Sequence, residues 1–375
     1  MSTPRPARPS GWVLGHVAGA PVVLAPSWLL AVLVLTLLFA PSVQASTGLP
    51  PAATYAVAGV FVVLLFGSVL VHELAHGLVA RARGQQPHAF VLTLMGGHTT
   101  FGGLAPTPAT AALVAAVGPV ANLVLAGGFL LAANAATTGS VLEVLLWAGA
   151  AANGFVGAFN LVPGLPLDGG RILEAAVWAL TRDRHRGAVV AGWTGRLVAV
   201  GVLVVALAVP FLEGRPPSLV TVAWSALLGA FLWSGASAAV RGGRTGRAVD
   251  ALTLGAVGRP AVAVPATASL ADARAAAREA GVEEVVVTAP DGRPAAYVDR
   301  EAAGRVPDAL AGTTTVAAVA TPLPVGALVD GTLAGEPLLA ALGAATAHAP
   351  VVAAVVDGRV VALVRTVDVL AALRV

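Results

Sequence analysis

The sequence predicts an α-helical polytopic membrane protein with six transmembrane helices, a small membrane-associated β-hairpin or sheet, and a C-terminal α/β repeat. Three observations predict it. The 375-residue chain is 57% hydrophobic and only 11% charged, where a soluble domain carries about 25% charge. Between Met1 and Leu167 the only acidic residues are Glu73 and Glu143, and most of the others follow Asp250. A repeat of strand, Asp-Gly turn and strand occurs only in the last third. Residues 1–247 are therefore expected to form a six-span domain. Residues 248–375 are expected to form a separate domain, with repeats at about 250–308 and 314–375.

A helix needs roughly 20 apolar residues to cross a bilayer. The first span is Ser27–Ala40, extendable to Gln44, and the second is Tyr55–Ala80. A Gly- and Thr-rich break from Arg81 to Pro108 follows, and its alternating run Phe90-Val91-Leu92-Thr93-Leu94 reads as a hairpin or small sheet. Thr110–Ala135 and Val141–Val162 are the third and fourth spans, the latter cut by Pro163, Gly164 and Pro166. Trp193–Phe211 and Ser218–Val240 complete the six. The Pro- and Arg-rich N-terminus has no clear small-residue cleavage site and does not read as a signal peptide.

Arginines orient the spans. Arg5 and Arg8 precede span one, Arg81 and Arg83 follow span two, and Arg171, Arg182, Arg184 and Arg186 separate spans four and five. Arg241, Arg244 and Arg247 follow span six, whereas Arg215 is the only arginine in the opposite loops. Both termini and all the arginine-rich segments are thus expected in the cytoplasm of a multi-pass cell-membrane protein. The pI of about 10.4 accompanies a net charge of only +3 and does not point to nucleic acid. With no cysteine, disulfides and thiolate metal sites are excluded, leaving His and carboxylate as metal donors.

His72-Glu73-Leu74-Ala75-His76 is an H-E-x-x-H pattern. Residues four apart share a helix face, so both imidazoles can reach one zinc, with Glu73 beside it to take a proton from water. The bland alternative has these residues facing the head groups and marking the helix end. Against it, ionisable residues within spans are costly and usually functional. Zinc with an open position needs a third protein ligand. Asp168, in the segment Asn160 to Arg171 at the end of span four, falls on the same side of the bilayer. Its alternative role is a helix cap for the segment from Gly169 onward.

These residues resemble the site-2 proteases, a family of intramembrane metalloproteases, over about Pro21 to Val240. The resemblance rests on His72-Glu73-x-x-His76, on Gly118-Pro119-x-x-Asn122 in span three, and on Asn160-x-x-Pro163-x-x-Pro166-Leu167-Asp168-Gly169-Gly170-Arg171. It implies one zinc per catalytic site on His72, His76 and Asp168, with Glu73 as general base and the site near the cytoplasmic face. It implies that Asn160 places the substrate or steadies the developing oxyanion, and that Asn122 supports the core or the substrate. The implied substrates are membrane-spanning helices, often of signalling proteins such as anti-sigma factors. His88 and His98 lie between spans two and three. His98 is the better candidate to approach the zinc and block or tune it, the alternative being local solvation. His16, His185 and His348 have no constellation around them.

Val285 to Val298, with its Asp291-Gly292 turn, matches Val351 to Val364, with its Asp357-Gly358 turn, at a constant offset. Helix-like runs precede both copies, at Ser269–Ala280 and Glu336–Thr346. The pattern resembles a tandem pair of CBS domains. In that family the closing aspartate can bind the ribose of an adenine nucleotide. Asp368 fits the position, but Ala302 stands there in the first copy and Arg365 replaces a usual Ser or Thr. At most one nucleotide site is implied, and the alternative is a structural module that pairs two protomers. A rival reading of the whole chain is a CBS-gated metal transporter or channel whose His and Asp line an ion path. A carrier has no need of Glu73 between two ligands.

Overall fold

The computed structural model describes residues 11–94, 96–347 and 349–373. Arg5, Arg8 and His348, considered above, lie outside them. The chain divides into two compact units, Met1–Gly243 and Arg244–Val375.

The first unit opens with an antiparallel hairpin, β1 (Trp12–Val17) and β2 (Ala20–Leu24). Its two-residue turn, Ala18-Gly19, takes positive φ at both positions, as the twist of a tight hairpin requires. Two helices follow, α1 (Ser27–Thr47) and α2 (Pro51–Ala82). Pro51 opens α2, where a missing N–H costs nothing. The expected hairpin is β3 (Pro87–Thr93) and β4 (Gly96–Phe101). It does not stand alone: β2 pairs parallel to β3, giving a four-stranded sheet in the order β1-β2-β3-β4. Phe90 of β3 is fully buried among Ala20, Val22, Leu70 and Leu74, which seats the sheet on α2.

Thr107 caps α3 (Pro108–Ala135), its hydroxyl accepting from the Thr110 N–H. Ser140 caps α4 (Val141–Asn160) in the same way through Glu143. After a Pro- and Gly-rich loop comes α5 (Asp168–Thr181), a short amphipathic helix within the stretch left without an element above. Asp183 then caps α6 (Arg184–Leu212), and α7 (Leu219–Asp250) follows, its last turns falling in the second unit. Apart from α5, these helices are long and apolar enough to cross a membrane, six in number. Helices α6 and α7 extend well beyond the expected spans because their ends carry arginines that hydropathy excludes.

The second unit holds a seven-stranded sheet in the order β8-β7-β6-β5-β11-β10-β9. Its first copy runs from α8 (Leu254–Val257) through β5 (Gly258–Pro265), α9 (Leu270–Glu279), β6 (Glu284–Thr288) and β7 (Pro294–Val298) to α10 (Arg300–Gly304) and α11 (Asp308–Ala311). A 3₁₀ turn, Val316–Val319, leads into the second copy: β8 (Ala320–Pro322), β9 (Leu328–Asp330), α12 (Gly335–Thr346), β10 (Val351–Val356), β11 (Arg359–Arg365) and α13 (Thr366–Leu373). In each copy a central strand pairs parallel to the strand before its helix and antiparallel to its hairpin partner. This is the strand–helix–hairpin–helix pattern of a CBS-like pair. The two Asp-Gly turns differ. Asp357 and Gly358 both take positive φ in a two-residue turn, whereas Pro290 lengthens the first loop and only Gly292 takes positive φ there.

Candidate metal centre

Helix α2 carries His72, Glu73 and His76 into the interior of the first unit, each less than a tenth exposed. Four-residue spacing sets the two imidazoles on one face, with their Nε2 atoms 3.0 Å apart. The first turn of α5 brings in Asp168, whose Oδ2 lies 3.1 Å from His72 Nε2 and 3.3 Å from His76 Nε2. Leu167, not Asp168, is the cap residue of α5, so the carboxylate is directed at the histidines. Gly118 of α3 makes room for the rings: a Cβ there would sit 2.4 Å from His76 Nε2 and 2.7 Å from His72 Cε1.

The other ring nitrogens decide which lone pairs face inward. His76 Nδ1 lies 2.5 Å from the Val114 carbonyl oxygen, which only accepts, so Nδ1 carries the proton. His72 Nδ1 meets Asn122 Oδ1 at 2.5 Å, and that amide is itself fixed. Asn153 donates through Nδ2 to the Gly149 carbonyl (2.9 Å) and to Ser68 Oγ (3.1 Å), which leaves its Oδ1 to accept from Asn122 Nδ2 at 2.8 Å. Asn122 Oδ1 therefore faces His72 and accepts its Nδ1–H. Each ring then presents Nε2, together with a carboxylate, to one point. As unprotonated acceptors these three groups would repel one another at such distances, and a metal ion among them would relieve the repulsion. Zinc bound at about 2.0–2.1 Å to tetrahedral ligands sets donor–donor edges of about 3.3–3.4 Å. The observed edges of 3.0 to 3.3 Å fit that ion. Among the described residues, these three are the grouping of His and carboxylate donors able to hold a metal.

Glu73 faces β4. Thr99 Oγ1 donates to Glu73 Oε2 at 2.7 Å. Gly97, two residues earlier on the same strand face, packs so closely that a Cβ would meet Glu73 Cγ at 2.6 Å. Strand alternation then turns His98 to the opposite face, where it is exposed. It borders the cavity in front of the site but lies outside the three-residue group. His88 is exposed and packs against Gly102. The cavity has a volume of about 650 Å³, and Asn160 at the end of α4 lines it beside His72, Glu73, His76 and Asp168. Sequence reasoning missed Asn153 and Thr99. It placed Asn122 in supporting the core or the substrate, and the amide spans His72 and Asn153 at 1% exposure.

Residues 130–206, which include Asn160 and Asp168, match peptidase family M50. The Mycobacterium tuberculosis protein Rip3, named as a zinc metalloprotease, is 36% identical over 228 residues, 60% of this chain and 57% of its own. The chain is thus similar to zinc metalloproteases of the site-2 protease kind over its membrane-spanning part. The Synechocystis protein sll0528, likewise named as a zinc metalloprotease, is 29% identical over 245 residues, 64% of this chain and 62% of its own. The chain thus spans about three fifths of the length of these curated relatives. The solved site-2 protease from Methanocaldococcus jannaschii aligns over 61% of this chain and 94% of its own, with a TM-score of 0.43 and 22% identity.

In the second unit, Asp368 is held by Arg259, whose Nε and Nη2 donate to its two carboxylate oxygens at 3.0 and 3.1 Å. Beside this pair the buried Glu284 accepts from Arg300 and Arg365 at 3.2 and 3.1 Å. The candidate ribose-binding carboxylate is therefore already engaged in an arginine–carboxylate cluster.

Proposed function

We propose that this chain is a site-2 protease, an intramembrane zinc metalloprotease that hydrolyses peptide bonds in or near transmembrane helices. One observation carries the reading: two histidines and an aspartate converge among apolar helices, with a fourth ionisable residue, Glu73, held beside them by Thr99. His72, His76 and Asp168 would hold the zinc. When bound, zinc supplies Lewis-acid activation of water and of the peptide carbonyl. Glu73 Oε2 is occupied by the Thr99 hydroxyl, so Oε1 is the oxygen free to take a proton from the attacking water. Glu73 then returns that proton to the leaving amide nitrogen. The Asn160 carboxamide, in the same cavity, is suited to donate to the substrate carbonyl oxygen. A transmembrane helix must unwind before its carbonyls can react, and β4, at the edge of its sheet, offers backbone groups for strand addition.

In this proposal the metal centre faces the cytoplasmic half of the membrane and both termini are cytoplasmic. The substrate is a membrane-spanning protein, an anti-sigma factor being one class. The CBS-like pair serves as a regulatory or pairing module, with an adenine nucleotide at Asp368 as its candidate ligand. The Arg259 contact would have to open first. The transporter reading is disfavoured because an ion path has no use for a base clamped beside the ligands. The deciding test is Glu73→Gln in liposomes, with substrate cleavage and zinc flux measured side by side. Cleavage should fall by about 100-fold or more, the scale of lost acid–base catalysis, with zinc retained. Unimpaired cleavage would refute the mechanism, and zinc flux in either form would favour the transporter.

A further inference from the structure

Arg196 lies inside an otherwise uncharged stretch of α6. From Gly187 to Leu212 that stretch is about 39 Å long at 1.5 Å per residue, against a hydrocarbon core of about 30 Å. Centring the two puts the Arg196 Cα about 9 Å inside the core. A helical side chain leans toward the N-terminus of its helix, and Arg196 does so. Its guanidinium carbon lies 4.5 Å from the ring centre of Trp193, one turn toward the start of α6, and 5.2 Å from that of Trp233 on α7. This lean brings the charge to about one helical turn below the edge of the core, the depth at which tryptophans and snorkelling arginines gather. Both tryptophans are about half exposed, 48% and 47%, on the outer surface of the helices. The end in question is that of the metal centre, since the Leu165 N–H, three residues before Asp168, donates to the Ala191 carbonyl of α6 at 3.0 Å.

The charge there is only partly satisfied. Nε donates to the buried Ser237 hydroxyl at 3.2 Å, which fixes the plane of the guanidinium. Among the described residues no carboxylate pairs with Arg196, and its two Nη groups have no protein acceptor. Four N–H donors and a full positive charge at this depth demand an acceptor from outside the protein. A phosphodiester matches the demand, because its two free oxygens fit the fork of the guanidinium. The flanking indoles offer apolar faces to the acyl chains below. We propose that Arg196, Trp193 and Trp233 form a binding site for the phosphate of an anionic phospholipid from the leaflet on the metal-centre side. Zwitterionic lipids bind less well, because their own ammonium competes with Arg196 for the phosphate.

The test is native mass spectrometry of the full-length protein in detergent, with phosphatidylglycerol, phosphatidylcholine or inorganic phosphate added in turn. The wild type should retain phosphatidylglycerol in preference to phosphatidylcholine. Arg196→Gln should weaken that binding by about tenfold or more, the scale of losing a charge-assisted anchor. Arg196→Lys, a point charge without the fork, should fall between the two. Zinc content, unchanged in both variants, reports that the fold is intact. Equal phosphatidylglycerol binding by wild type and Arg196→Gln would overturn the proposal. So would equal retention of the two lipids, or inorganic phosphate competing at the same concentration as the lipid.

Discussion

Replacing Asn153 with Leu should weaken zinc binding although Asn153 touches no metal ligand. The substitution keeps approximate size and removes three polar contacts: to Gly149, to Ser68 and to Asn122 Nδ2. Without the last of these, nothing distinguishes the two ends of the Asn122 amide. If Asn122 turns over, its NH₂ faces His72 Nδ1, which can then only accept. The imidazole proton must move to Nε2, where it occupies the lone pair directed at Asp168 and His76. Loss of such an orienting partner typically costs 10- to 100-fold in metal affinity, or about 1.4–2.8 kcal/mol at 1.4 kcal/mol per tenfold. This matches the cost of about 1–3 kcal/mol for leaving one buried polar group unpaired. The assay is competition for zinc between the purified full-length protein and a chelator of known affinity, with thermal melting alongside. Asn122→Ala should weaken zinc binding at least as much. Because the two amides act in series, the double variant should be little worse than Asn122→Ala alone. Full zinc affinity in Asn153→Leu, or strictly additive losses, would refute the relay.

Three further outcomes are expected. Thr99→Val should leave zinc in place and slow cleavage of a membrane-spanning substrate by about tenfold, the value of one hydrogen bond to a charged group, and Thr99→Ser should restore most of it. Equal rates in all three forms would remove Thr99 from the positioning of Glu73. Gly118→Ala should abolish zinc retention, because its Cβ would collide with both imidazoles; normal zinc content would mean that α3 can shift. Cysteines introduced near Ser46 should react with an impermeant reagent applied outside the cell while those near Arg184 do not, and the reverse pattern would invert the orientation.

The parts of the site that could be read from the sequence are those whose geometry is local. His72, Glu73 and His76 are set by one helical turn, and Asp168 is marked by the only strongly broken end of a span. Asn153 carries no such mark. It sits in Ala-Ala-Asn-Gly on an apolar helix, and its partners, Asn122 and Ser68, are 31 and 85 residues away. Thr99 was half legible: the alternation of β4 puts Thr99 and His98 on opposite faces, but only packing shows which face meets α2. The β1–β2 hairpin was missed because its turn is Ala18-Gly19, without the Asn or Asp that usually announces positive φ in both turn positions. Helix α5 and the long extensions of α6 and α7 were hidden by their arginines, which end a hydropathy window without ending a helix.

Charge balance connects the metal centre with the lipid site. At the centre, Glu73 and Asp168 bring two carboxyl groups into apolar surroundings, while the hydrogen bonds to Val114 and Asn122 fix the Nδ1 protons and leave Nε2 of both imidazoles facing Asp168. With both carboxyl groups ionised and both rings neutral, a divalent cation would make that cluster neutral, where two unpaired buried carboxylates would be costly. Among the described residues no arginine pairs with either carboxyl group of the cluster. Arg196 is the opposite case. It is a single positive charge stacked on two indoles and bonded to one hydroxyl, and among the described residues no carboxylate pairs with it. In the two proposals one site would be completed by a cation and the other by an anion, each argued from the groups that the fold already holds in place.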